Sequence, residues 1–309
     1  MAKNLLSQSL GLCLHMALWA CGARAEIPFE SAHAVVIDAS TGEVLLQKDA
    51  VAVAPIASLT KLMTVMVVLD AEQDAAEKIR IDLSDMDTLK HTRSGVPIGA
   101  VVTRGTLLEL ALIASDNHAA AALARSYPGG KAQFAAATKL KIRMLGLDST
   151  VLEEPTGLSP NNRSSAMDMA RVLRATSGYP LISQITSQRG WAVATSGRAW
   201  EARNTNRLVG TPGWDILASK TGFTNDAGRC LAMQLRSAGR TVIVVLMGAT
   251  ASAARSLDAL NVRRWLAGQA PLPARLGPQR LTEPMTSTRL RSTRERKGVM
   301  PAAPRATSS

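Results

Sequence analysis

Strand patterns stand at both ends of this chain with a long helical stretch between them, and that order limits what it can fold into. Ala34-Val35-Val36-Ile37-Asp38, then Ser40-Thr41-Gly42, then Glu43-Val44-Leu45-Leu46 read as a strand, a tight turn and a returning strand. Far along the chain, Trp214 to Ser219 leads into Lys220-Thr221-Gly222 as a strand end. Cys230 to Leu235 then faces Thr241 to Met247 across the turn Ser237-Ala238-Gly239. From Ser58 to about Ser177 helical spacing dominates, and Ala251 to Ala267 reads as a closing helix. The expected class is α/β, of the α+β kind: one antiparallel sheet assembled from both chain ends, with a helical subdomain packed beside it. No internal repeat is visible. With 46% hydrophobic but only 3% aromatic residues, the core is aliphatic.

The termini read differently. Lys3, an apolar stretch from Leu10 to Ala20 and Ala23-Arg24-Ala25 form a signal-peptide pattern. Residues 1–25 are therefore expected to be removed after Ala25, giving an exported, periplasmic protein. Leu18-Trp19-Ala20-Cys21 as a lipoprotein site is disfavoured by the bulky Trp19. Export leaves Cys230 as the one cysteine, so no intramolecular disulfide can form, and its apolar run marks it as a small buried side chain. The four histidines show no H-E-x-x-H spacing, and no metal or cofactor is expected.

Residues 26–270 are expected to form the folded domain that carries whatever chemistry the chain performs. Residues 271–309 form a basic tail, with Arg275, Arg280, Arg289, Arg291, Arg294, Arg296, Lys297 and Arg305 against Glu283 and Glu295. Its prolines and lack of aromatics predict disorder, with a weak electrostatic hold on anionic wall polymers or membrane headgroups. Nucleic acid is excluded as a partner for an exported chain.

Within the helical stretch, Pro55-Ile56-Ala57-Ser58-Leu59-Thr60-Lys61-Leu62-Met63-Thr64 places one lysine near the front of an apolar run. Burying an unpaired ammonium is costly, so Lys61 either snorkels to water or is held for chemistry. If Pro55 opens a helix, positions i and i+3 share a face, and the Ser58 hydroxyl meets the Lys61 amine as a nucleophile beside a base. Ser115-Asp116-Asn117 interrupts the apolar Thr106–Arg125 segment, either as an ordinary cap or as a loop projecting hydroxyl and amide into a cleft. Lys220-Thr221-Gly222 combines charge, hydroxyl and a glycine that allows close approach of a ligand.

S-x-x-K, S-D-N and K-T-G in this order resemble the signature shared by penicillin-binding proteins and serine β-lactamases. The resemblance extends to E-P-T-G-L-S-P-N-N and K-T-G-F-T-N-D-A-G-R-C-L, covers most of residues 31–268, and points to the low-molecular-mass D-alanyl-D-alanine peptidases. It implies a β-lactamase/penicillin-binding-protein transpeptidase-like fold, a serine acyl-enzyme, muropeptides as substrates and β-lactam antibiotics as covalent inhibitors. Ser58 is then the nucleophile and Lys61 the base, with its pKa lowered by desolvation and by Lys220. Ser115 bridges Lys61 and Lys220 and relays a proton to the leaving amine. Asn117 orients the helix junction and the substrate amide, and Asp116 is structural. Lys220 and Thr221 receive a substrate carboxylate beside Gly222, and the backbone N–H groups of Ser58 and Phe223 form an oxyanion hole.

Phe223 stands where carboxypeptidase relatives usually carry histidine, and residues 271–309 are too few for their additional β-rich domain. Both features favour the penicillin-binding protein 7/8 type D,D-endopeptidases over a carboxypeptidase that removes terminal D-alanine. A class A β-lactamase would need E-x-x-L-N, which Glu153-Glu154-Pro155 does not begin. A non-catalytic β-lactam sensor would be expected to lose a motif residue, and none is lost.

Overall fold

The computed structural model describes residues 27–195 and 198–273; the expected signal segment and the tail beyond residue 273 lie outside the described residues. The chain opens with β1 (His33–Asp38) and β2 (Val44–Lys48). A short β3 (Ala54–Pro55) and a 3-10 turn (Ala57–Leu59) lead into α1 (Thr60–Asp70). The helical region follows as β4 (Lys78–Arg80), β5 (Val101–Thr103), α2 (Arg104–Ile113), α3 (Asn117–Arg125) and α4 (Gly130–Met144). It closes with β6 (Arg163–Ser164), α5 (Ala166–Ala175) and α6 (Pro180–Thr186). A hairpin of β7 (Gly190–Thr195) and β8 (Arg198–Arg203) precedes β9 (Asp215–Thr224), β10 (Gly228–Ser237), β11 (Arg240–Ala249) and α7 (Ser252–Leu266).

The five-stranded sheet has the order β2-β1-β11-β10-β9 and is antiparallel throughout, so the two chain ends do meet in one sheet. Strand alternation divides its side chains between two layers. Ala34, Val36, Val244 and Leu246 face Val262 and Trp265 of α7. Val35, Ile37, Cys230, Ala232 and Val245 join the core built by α1, α2, α3 and α5. Helix α1 is the centre of that layer, with every residue from Thr60 to Val68 buried.

Two local expectations change. Pro55 does not open a helix: it ends β3, paired with Arg163 of β6, and the chain turns once through 3-10 geometry before α1 begins. K-T-G does not end a strand either. It lies inside β9, an edge strand that continues to Thr224 and pairs Lys220 with Ala232, Thr221 with Leu231 and Gly222 with Cys230. The two-residue alternation then sends Lys220 and Gly222 toward the helical layer and Thr221 and Phe223 toward the α7 side.

Candidate functional site

The 3-10 turn keeps the i, i+3 relation that a regular helix would have given Ser58 and Lys61. Lys61 Nζ donates to Ser58 Oγ at 3.1 Å, to Asn117 Oδ1 at 2.6 Å and to the Thr156 carbonyl at 2.6 Å. Three acceptors around a fully buried ammonium satisfy all of its donors. Burial lowers the Lys61 pKa from lysine's usual 10.5 to about 8, against the carboxylates of Glu154, Asp116 and Asp87, which raise it. Lys220 is lowered well below its usual value, first by burial and then by the charge on Lys61. The expected conflict between the two lysines is therefore carried by Lys220, while Lys61 is shifted by desolvation.

Helices α2 and α3 present the S-D-N segment between them. Ser115 sits in the left-handed region at φ 60°, and Ala57, next to Ser58, at φ 47°. Two non-glycine residues in that region beside one cleft mark locally strained backbone. Lys220 Nζ donates to Ser115 Oγ at 2.7 Å, whereas no hydrogen bond joins Ser115 to Lys61 among the described residues. Asp116 caps α3 through Ala119 N and accepts from Ser94 Oγ and Gly95 N, which makes it structural as expected. Asn117 Nδ2 donates to Thr92 Oγ1 at 2.7 Å.

Glycine at 222 serves the protein's own backbone before any ligand. A Cβ there would stand 3.0 Å from both the Ile56 carbonyl oxygen and Ser58 N, so the bare glycine lets β9 close on the turn that carries Ser58. Thr221 Oγ1 donates to Thr205 Oγ1 at 2.7 Å, and the Arg229 guanidinium stacks over the Phe223 ring at 3.5 Å. Ser58, Ser115, Thr221, Gly222 and Phe223 all line one cleft of about 600 Å³. Lys61, Asn117 and Lys220 lie buried behind it.

Sequence reasoning assigned no role to several residues that shape this cluster. Glu154 accepts from the backbone N–H groups of Thr156, Gly157, Leu158 and Ser159, and so fixes the loop whose Thr156 carbonyl meets Lys61. Asn162 Nδ2 donates to Thr60 Oγ1 at 3.1 Å and its Oδ1 accepts from Glu153 N at 2.8 Å, tying that loop to α1. A carboxylate so engaged is not free to activate water, consistent with the rejection of the class A β-lactamase reading. The signal was the string E-P-T-G-L-S-P-N-N, whose residue types carry no chemistry until the loop folds. Cys230 is buried, and burial pushes its thiol up to about 11, in line with the absence of chemistry assigned to it. Among the described residues no group of His, Cys, Asp or Glu is arranged to hold a metal.

A buried lysine on a serine, a serine on a second buried lysine and a K-T-G edge strand converge on one cleft, an arrangement suited to acyl transfer on a serine. The chain belongs to the S11 peptidase family, described as D-alanyl-D-alanine carboxypeptidase, which it matches over residues 22–251. It is 42% identical to a D-alanyl-D-alanine endopeptidase of Pseudomonas aeruginosa, across 76% of this chain and 77% of that one. It is 40% identical to a D-alanyl-D-alanine endopeptidase of Escherichia coli, across 79% and 80%. Among solved structures, a D-alanyl-D-alanine carboxypeptidase from Mycobacterium tuberculosis superposes with TM-score 0.71 at 25% identity, covering 81% of this chain and 96% of that one. The Streptomyces K15 DD-transpeptidase shares the fold with TM-score 0.73 at 23% identity, covering 79% and 99%.

Proposed function

We propose that this protein is a D,D-endopeptidase of peptidoglycan, cleaving D-alanyl crosslinks between peptide stems through an acyl-enzyme on Ser58. The 3.1 Å contact between Ser58 and a Lys61 whose pKa lies near 8 carries the reading, because an amine neutral in a fair fraction of molecules can take the hydroxyl proton as the oxygen attacks. The Ser58 N–H, beside which Gly222 leaves room, and the Phe223 N–H receive the oxyanion. Ser115, hydrogen-bonded to Lys220, returns a proton to the departing amine. Thr221 holds the carboxylate next to the scissile bond, with Lys220 behind it supplying positive charge through Ser115, and water then attacks the ester, releasing the new D-alanyl carboxylate and returning a proton to Ser58 Oγ. β-Lactams acylate the same serine.

Export belongs to this reading, with cleavage after Ala25 delivering the enzyme to the periplasm, where its substrate lies. Among the described residues no helix is long and apolar enough to cross a membrane. The basic tail adds a screened attraction to anionic wall or membrane surfaces. Support for endopeptidase over carboxypeptidase activity comes from Phe223 and from the two endopeptidase relatives.

Digestion of purified sacculi followed by muropeptide analysis tests the reading. Crosslinked dimers are expected to fall to monomers faster than pentapeptides lose D-alanine, and the reverse order contradicts it.

A further inference from the structure

The reactive cleft does not end at K-T-G. Its far wall is formed by Thr205, Asn206 and Arg207, and the same three residues line a second, open groove of about 860 Å³ whose other walls include Arg189 and Arg203. The two spaces therefore meet at one corner, which the Thr221–Thr205 hydrogen bond joins to the edge strand.

Among the described residues that line it, the second groove has three arginines and no carboxylate. The Arg207 guanidinium has no partner among the described residues. Arg189 donates to the Gly210 carbonyl, which leaves its charge uncompensated. Among the described residues Arg203 meets Glu201 alone, at 3.6 Å with both side chains largely exposed, a contact worth little. Asn206, 2% exposed, accepts from Leu208 N through Oδ1, while its buried Nδ2 has no partner among the described residues. One guanidinium without a partner, flanked by two that lack a strong counter-charge, suits carboxylate ligands.

Direction supplies the rest. With the reacting carbonyl at Ser58 and the adjoining carboxylate at Thr221, the departing half of the substrate continues past Thr221 toward Thr205 and Arg207. When a terminal D-alanine leaves, nothing extends beyond that carboxylate. When a crosslink is cut, the departing half is a peptide stem that carries further free carboxylates. We propose that the Arg189–Arg203–Arg207 groove is the subsite for the carboxylate-bearing stem of the departing half, and that it favours crosslinks over terminal D-alanine. This rests on the endopeptidase reading.

The test compares the parent with Arg203→Ala, Arg207→Ala, the double variant and Arg203→Glu on three reactions: cleavage of a soluble crosslinked dimer, trimming of a monomeric pentapeptide and acylation by penicillin. The double variant is expected to lose about three- to tenfold in kcat/KM on dimer, mainly through KM, with a weaker dependence on salt. Arg203→Glu loses more. Pentapeptide trimming, acylation and the thermal melt stay at parental values, because neither smaller reactant reaches the groove. Unchanged dimer cleavage overturns the proposal, as does an equal loss in all three reactions. So does a loss confined to binding of anionic phospholipid vesicles, which would assign the arginines to a membrane surface. A parent enzyme that trims pentapeptides but leaves dimers intact sinks the endopeptidase reading itself and this subsite with it; indifferent variants of a dimer-cleaving parent sink the subsite alone.

Discussion

Asn117 Oδ1 accepts from Lys61 Nζ at 2.6 Å, and only this face of the amide suits that position, because an ammonium has donors and no acceptor. The opposite face is fixed by Thr92, whose hydroxyl gives its proton to Asp87 Oδ2 at 2.7 Å and so presents a lone pair to Asn117 Nδ2. The chain Asp87–Thr92–Asn117–Lys61 thus sets the orientation of the amide against the lysine.

Thr92→Val is nearly isosteric and removes the acceptor for Asn117 Nδ2. An unpaired buried donor costs about 1–3 kcal/mol, so penicillin acylation is expected to slow about tenfold with a modest drop in melting temperature. Thr92→Ser, which keeps the hydroxyl, is expected to retain most of the rate. Equal rates in the two variants would show that the hydroxyl is idle.

Gly157 lies at φ 86° against the turn that carries the nucleophile: a Cβ there would stand 2.0 Å from the Ala57 carbonyl oxygen and 2.8 Å from Ser58 N. Gly157→Ala must push that turn aside. It is expected to cost more than about 1 kcal/mol of stability and to slow acylation at least about a hundredfold. Gly146→Ala, at φ 61° with no atom within 4 Å of the added carbon, bears the backbone strain alone and keeps its acylation rate. Similar acylation in both alanine variants would contradict the close-contact account.

Acylation should follow the neutral fraction of Lys61, which rises with pH. With a folded pKa of about 8, the rate climbs from pH 6 to about 8 and levels off above it. The charge on Glu154 raises that pKa, so Glu154→Gln moves the midpoint downward. The same shift enters folding: between about 8 and 10.5 the unfolded lysine still holds the proton that the folded one has released, so this group's contribution to stability rises with pH across that window. A rate–pH profile that is flat from 6 to 9 would contradict the assignment.

The sheet and the Ser58–Lys61 pair were legible because both rest on short-range patterns, whereas Ser115, Asn117, Lys220 and Thr221 drew their expected roles from the resemblance of S-D-N and K-T-G to a known signature. The continuous apolar runs in Ala34–Asp38 and Thr241–Met247 specified strands with two buried faces, and the spacing of Ser58 and Lys61 survived even though Pro55 lies in a strand. The partners of Lys61 and Asn117 were not legible. Thr156 contributes a backbone carbonyl, a group every residue has, and Thr92 stands 25 positions from the amide it orients. A second duty of Gly222 was hidden for a related reason: besides lining the cleft, it permits the approach of Ile56 and Ser58, far away in sequence. Likewise, the alternation that sends Lys220 inward and Thr221 outward required K-T-G to lie inside β9 rather than at its end.

In the proposed reaction the buried Lys61 amine, in its neutral form, takes a proton from Ser58, and the acylation rate of Lys61→Arg measured across pH, alongside its thermal melt, tests this most directly. A guanidinium stays protonated at any working pH and cannot act as the base. The account predicts a folded variant that penicillin acylates about 10²- to 10⁴-fold more slowly than the parent at every pH, much like Lys61→Ala. A Lys61→Arg enzyme that acylates at the parental rate would contradict it.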